Sequence, residues 1–168
     1  FLKMKKWFPL YTKPRHEVKA LEQIKELGIE VFLPTIVVLK QWSDRKKKVT
    51  EALFKSYIFI NAIEKERNYA LTCDAVLKSI TFDGKVATIP ESEIESLKIM
   101  LKTPERIQVI DGISKGKIVL IESGPFTGVE GYINSISKDE STLSLSIELL
   151  NRTVKVVIPS STKIKAIN

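Results

Sequence analysis

The residue types that most often do covalent or metal chemistry are nearly absent from this chain. It has one histidine, His16, and one cysteine, Cys73, so neither a zinc-ligand set nor an internal disulfide is available. No carboxylate cluster has metal-ligand spacing, no G-x-x-x-x-G-K-[ST] loop occurs, and His16 has no obvious acid partner. The expectation is a protein that is not an enzyme and uses neither metal nor cofactor. What the sequence offers instead is contact chemistry. Lys13, Arg15 and His16 crowd one segment that suits a phosphate or a flipped base, or equally a solvated helix end. Arg45, Lys46, Lys47 and Lys48 are consecutive cations, suited to phosphate contact or to plain solvation. Phe54, Tyr57 and Phe59 form a short aromatic group, and Phe126 sits in S-G-P-F-T-G between Gly124 and Gly128. There a rigid turn holds the ring outward, or else the ring caps a small barrel.

A basic globular chain carries these groups. Its 168 residues with 43% hydrophobic content suffice for one core or two small ones. A net charge of +7 suits a polyanionic partner, and equally a surplus of surface lysine. The single cysteine points to the cytoplasm. The start, F-L-K-M-K-K-W-F-P-L-Y, has too short an apolar run for a signal peptide or a membrane span, so no membrane partner is expected, and Met4 is a candidate first residue. Residues 1–102 carry 19 Lys+Arg against 13 Asp+Glu, whereas residues 103–168 carry 8 against 7, which assigns any polyanion binding to the first part.

The elements that must position these groups follow from periodicity. W-F-P-L-Y-T-K (7–13) predicts a strand with Pro9 at a start or edge, followed by a helix of about fourteen residues opening at Pro14 and ending at Gly28. Residues 29–34 and 35–42 predict strands, 43–48 a solvated hairpin tip, 52–60 a further strand, and 64–72 a short helix. A D-G turn at 83–84 predicts a hairpin, and Pro90 with Glu91, Glu93 and Glu95 starts a helix with Ile94, Leu97 and Leu101 on one stripe. That order is an α+β sandwich, a mainly antiparallel sheet flanked by helices. Residues 103–116 read as a linker that lets the two parts tumble semi-independently, and 117–168 as about five short strands closing a small all-β barrel.

G-K-I-V-L-I-E-S-G-P-F-T-G-V-E-G-Y-I resembles a KOW motif, the strand-turn-strand signature of an SH3-like barrel, with Gly116, Gly124, Pro125, Phe126, Gly128 and Gly131 in the matching places. W-F-P-L-Y-T-K-P-R-H-E, A-L-F-K-S-Y-I-F-I and I-P-E-S-E-I-E-S-L resemble, in order, three segments of the NusG amino-terminal (NGN) domain. Y-T-K-P-R-H-E looks closer to specialised members, the RfaH type and the antiterminators of capsular polysaccharide loci, than to the housekeeping form. C-D-A-V at 73–76 departs from the family's usual T-P-G-V, so no role is carried over to that corner.

The resemblance implies an NGN domain at 4–102, a linker at 103–116 and a KOW SH3-like barrel at 117–168. It implies a monomeric transcription elongation or antitermination factor that suppresses pausing. Phe54, Tyr57 and Phe59, flanked by Ile94 and Leu97, match the apolar patch that binds the clamp helices of the largest subunit of RNA polymerase; as residues alone they fit an ordinary core as well. Lys13, Arg15 and His16, with Arg45, Lys46 and Lys47 in support, match the face that meets the single-stranded non-template DNA of the transcription bubble. Phe126 belongs to the barrel surface for a second partner, a ribosomal small-subunit protein or termination factor Rho. The alternative is an RNA-binding or ribosome-associated KOW protein, for which a strongly basic barrel is expected.

Overall fold

The structure is a computed structural model that describes residues 4–103 and 106–167. Contacts divide it into two compact units, Phe1–Glu91 and Ser92–Asn168. The division falls ahead of the third helix rather than behind it.

In the first unit, β1 (Lys6–Thr12), β2 (Glu30–Phe32), β5 (Tyr57–Ala62) and β6 (Val76–Ser79) form a sheet in the order β2-β5-β1-β6, antiparallel at each pairing. Strand alternation sorts its side chains by face. Phe8, Leu10, Ile58, Ile60 and Ala62 share a fully apolar cluster with Ala20 and Ile24 of α1 (Glu17–Glu26) and Ala70 of α2 (Glu64–Ala70). Trp7, Pro9, Tyr11, Phe32, Tyr57 and Phe59 take the opposite face, because Pro9 lies across from Phe59 and Tyr11 across from Tyr57. Pro9 sits in a central strand, not at an edge. Its carbonyl accepts from the Ile80 amide, and the ladder to β6 begins only at Leu10, so the missing N–H removes no bond to β5.

Three expected boundaries move. The first helix begins at Glu17 rather than Pro14, because Arg15 adopts φ 63, a left-handed conformation that a helix does not accept. The basic run is not a loop tip. Lys46–Ala52 is a strand, β4, paired with β3 (Thr35–Gln41), and the tip itself is Trp42 to Arg45, closed by the Trp42 amide donating to the Arg45 carbonyl at 2.7 Å. The expected strand at 52–60 starts only at Tyr57, since Ser56 at φ 67 turns the chain there. β7 (Thr81–Phe82) and β8 (Lys85–Val86) form the hairpin expected around Asp83 and Gly84, both of which have positive φ.

The second unit is β-rich, as expected for its alternating sequence. After α3 (Glu91–Met100), six strands pair antiparallel in the order β14-β10-β11-β12-β13-β9: β9 (Gln108–Asp111), β10 (Lys117–Ile121), β11 (Glu130–Ser135), β12 (Glu140–Ile147), β13 (Arg152–Pro159) and β14 (Ile164–Ala166). β9 lies where a linker was expected, with Val109 opposite Val154. The chain after β9 is also tied down. The Thr153 hydroxyl donates to the Gly112 carbonyl (2.9 Å), and the Ser146 hydroxyl donates to the Ser114 carbonyl (2.6 Å). Pro104, cited for the linker, lies outside the described residues. Among the described residues no helix is long and apolar enough to cross a membrane.

Candidate functional site

The face of the first sheet opposite the helical core carries an aromatic row. Trp7 meets Phe32 edge-on with ring centroids 6.4 Å apart, Phe32 lies 6.3 Å from Phe59, and Phe54 meets Phe59 at 6.1 Å with an interplanar angle of 88°. Tyr57 stacks on Tyr11 at 4.7 Å and donates its hydroxyl to the Tyr11 hydroxyl at 2.9 Å. The structure thus brings Phe54, Tyr57 and Phe59 together and adds Trp7, Phe32 and Tyr11. The signal for Trp7 and Tyr11 was the alternation of W-F-P-L-Y, whose odd positions share a face with Tyr57 and Phe59.

Exposure corrects part of the expectation. Phe54 is 3% exposed and Phe59 0%, while Tyr57 is half-buried. Phe54 does not face outward because the turn before β5, in which the Tyr57 amide donates to the Phe54 carbonyl, folds its ring edge-on against Phe59. Ile94 and Leu97, on α3 in the second unit, are fully buried.

The basic residues split between two settings. Lys13 turns to Asp74 at 3.0 Å and shares it with Lys19 at 3.2 Å; their hydrogen bonds and charges hold the Asp74 carboxyl below its ordinary range. The C-D-A-V corner therefore contributes the carboxylate that orients Lys13. His16 caps α1 without a side-chain bond to the helix, its Nδ1 donating to the Pro14 carbonyl at 2.8 Å. Arg15 points elsewhere. It lines a cleft of about 590 Å³ with Lys40, Lys55, Glu17, Glu51 and Ser56, so the β1–α1 corner and the base of the β3–β4 hairpin border one space. Lys40 pairs with Glu51, and Glu17 accepts the Ser56 amide at 3.0 Å. Arg15 and Lys55 have no carboxylate partner among the described residues, which leaves them for an anion. Two non-glycine residues on this cleft, Arg15 and Ser56, have left-handed backbones, a strain of the kind that clusters at binding sites.

Sequence reasoning overlooked Trp42. It stands beside the basic run, 45% exposed, with Lys47 Nζ 4.5 Å and the Arg45 guanidinium carbon 5.9 Å from its ring centroid. The signal was present in Q-W-S-D-R-K-K-K, where Trp42 had been assigned to the end of a strand.

In the second unit the S-G-P-F-T-G turn is closed by the Gly128 amide donating to the Ile121 carbonyl at 2.9 Å, with Gly128 at φ 97. Phe126 is not held outward. It is 3% exposed, folded in by the bond from the Val129 amide to its own carbonyl at 3.1 Å. Gly131 is required by close approach, since a Cβ there meets the Ser144 carbonyl oxygen at 2.7 Å.

Glu93, on α3, lines a small cavity with Glu130 and Glu148, and Lys115 lies 4.0 Å from Glu148. Burial first, and the Glu148 charge second, push the Glu93 carboxyl up to about 7. An unfolded glutamate ionises near ~4.3. The stability from a raised carboxyl is therefore complete below that value and is lost as pH rises through about 7. After allowance for solvent screening, urea unfolding at pH 5 and pH 8 is expected to differ by about 1 to 2 kcal/mol more in the wild type than in Glu93→Gln. Equal pH dependence in both proteins contradicts the assignment.

Among the described residues no group of three or more His, Cys, Asp or Glu is placed to hold a metal. Burial, and then Glu26, raise the Cys73 thiol, which disfavours the thiolate a nucleophile requires.

Several known proteins are similar to this chain along most of its length. The chain is 22% identical over 160 residues to the transcription termination/antitermination protein NusG of Escherichia coli O6:H1, covering 92% of this chain and 87% of that protein. It is 23% identical over 147 residues to the corresponding protein of Vibrio cholerae serotype O1, covering 84% and 80%. A solved structure described as a domain interaction in Thermotoga maritima NusG covers 98% of both chains with a TM-score of 0.53 and 22% identity, which shows the shared fold. Residues 5–98, more than half of the sequence, match the family model described as transcription termination factor NusG, and the stretch includes β1, the aromatic row and the basic cleft. With that match over the first sheet and the fold shared along the chain, this protein belongs to the NusG family.

Proposed function

We propose that the protein is a non-catalytic, cytoplasmic transcription elongation and antitermination factor that binds RNA polymerase and suppresses pausing. One observation carries the reading: the aromatic row of Phe54, Phe59, Phe32 and Trp7, with Tyr57 beside it, lies on the sheet face opposite the helical core, inside the family-matched stretch. Aromatic residues clustered this way are the usual anchors of protein interfaces. The partner is the clamp-helix hairpin of the largest polymerase subunit. Since Phe54 and Phe59 are buried in the free chain, engagement requires that face to gain exposure.

Arg15, Lys13 and His16, with Lys55 and Lys40 of the same cleft, meet the non-template strand of the transcription bubble. Arg45, Lys46 and Lys47 add phosphate contacts. The first domain is NGN-like. The β-rich second unit is a KOW-type, SH3-like barrel whose Phe126 loop recruits a ribosomal protein or Rho. The polar corner around Arg15 suits a factor recruited at particular loci rather than at every gene.

The test is in vitro transcription with purified bacterial polymerase on a template with a defined pause. Adding the full chain is expected to shorten the pause several-fold, and Tyr57→Ala to remove most of that effect. Unchanged pause lifetimes at saturating protein, together with unchanged termination, overturn the proposal.

A further inference from the structure

The β3–β4 hairpin carries an arrangement that its own folding does not explain. Residues 40–51 hold five cations, Lys40, Arg45, Lys46, Lys47 and Lys48, against two carboxylates, Asp44 and Glu51. In the register of the hairpin Lys40 lies directly opposite Lys47, a like-charge pair that destabilises a two-stranded sheet already marginal by itself. Of these cations only Lys40 has a carboxylate partner among the described residues, Glu51. The outer half of the hairpin is exposed on both strands, so no core beneath it needs an indole. Trp42 is nevertheless at the tip. Strand alternation places it on one face with Lys40, Lys47 and Arg45, and two of these cations lie over the ring.

We infer that this tip is a binding finger for single-stranded DNA, in which an unpaired base stacks on the Trp42 indole while Arg45 and Lys47 move from the ring to the flanking phosphates. The chemistry fits on both counts. A base offers a flat π face to the indole, and the phosphodiesters supply the negative charge that relieves the Lys40–Lys47 repulsion. A duplex offers phosphates but keeps its bases stacked, so it satisfies the cations and not the tryptophan. Lys46 and Lys48 project to the other face of β4, where a strand wrapped around the tip reaches them. The choice of DNA rests on the elongation-factor reading, in which the unpaired strand near the protein is the non-template strand. Trp42 then adds a base contact to a hairpin otherwise assigned phosphate contacts alone.

The experiment is fluorescence-anisotropy titration of the full chain with a labelled twelve-nucleotide single-stranded DNA, the same sequence as RNA, and its DNA duplex. Trp42→Leu, which keeps apolar bulk without a π face, is expected to weaken single-strand DNA binding roughly tenfold, whereas Trp42→Phe restores most of it. Lys46→Gln with Lys48→Gln is expected to lower the salt dependence of binding by about one unit of log–log slope. Because Trp42 is 45% exposed at an exposed hairpin tip, all variants should melt with the wild type. Equal affinity of Trp42→Leu and wild type overturns the base contact, tighter duplex binding reduces the tip to a phosphate patch, and tighter RNA binding overturns the assignment to DNA. None of these outcomes requires polymerase. Failure here alongside intact pause suppression rejects the finger and keeps the elongation factor, while loss of pause suppression with intact oligonucleotide binding does the reverse.

Discussion

Phe59→Ala is expected to cost the free protein about 3 to 5 kcal/mol, enough to leave much of it unfolded at ordinary temperatures. The ring is fully buried and lies between Phe32 at 6.3 Å and Phe54 at 6.1 Å, on a strand paired on both sides by β1 and β2. Neighbours fixed in a paired sheet relax little, so the lost transfer energy and the cavity add. Phe54→Ala should behave similarly, because that ring too is buried and packs edge-on against Phe59. Urea unfolding of each variant measures the loss. A cost below about 1 kcal/mol for Phe59→Ala contradicts the packing described here.

Tyr57→Ala is expected to do the opposite. The side chain is half-buried, stacked on and hydrogen-bonded to Tyr11, so stability should fall by only about 1 kcal/mol. As a central anchor its loss should weaken binding to a clamp-helix fragment by about 2 kcal/mol, close to thirtyfold. Thermal unfolding beside a binding titration separates the two effects. A large drop in melting temperature with unchanged affinity of the folded fraction assigns Tyr57 to the core and removes it from the interface.

Strand and helix periodicity made most elements legible. The alternation of W-F-P-L-Y, the D-G turn and the β-branched run T-V-K-V-V-I became β1, the β7–β8 hairpin and β13. What periodicity missed were the places where a single residue leaves the regular conformations. Positive φ at Arg15 delays the first helix, and at Ser56 it separates β4 from β5 within what looked like one strand. β9 was hidden because Gln108–Asp111 is too short to show alternation and gains its order from pairing with β13. At the site, the residue types were legible and their directions were not. Lys13, Arg15 and His16 look equivalent in sequence, yet Asp74, distant in the chain, takes Lys13 and leaves Arg15 to the cleft. Phe126 and Phe54 sit in segments where sequence alone leaves core and surface equally open, and backbone bonds within their turns fold both rings inward. Trp42 needed the hairpin register before its cations could be seen around it.

The most direct measurement is equilibrium binding of the full chain to a reconstituted bacterial RNA polymerase elongation complex, with and without excess isolated clamp-helix hairpin as competitor. The account predicts saturable binding at about micromolar concentration or tighter, released by the competitor. Binding that the clamp-helix hairpin does not displace, or no saturable binding at all, contradicts the claim that this family member works through the aromatic face of its first sheet.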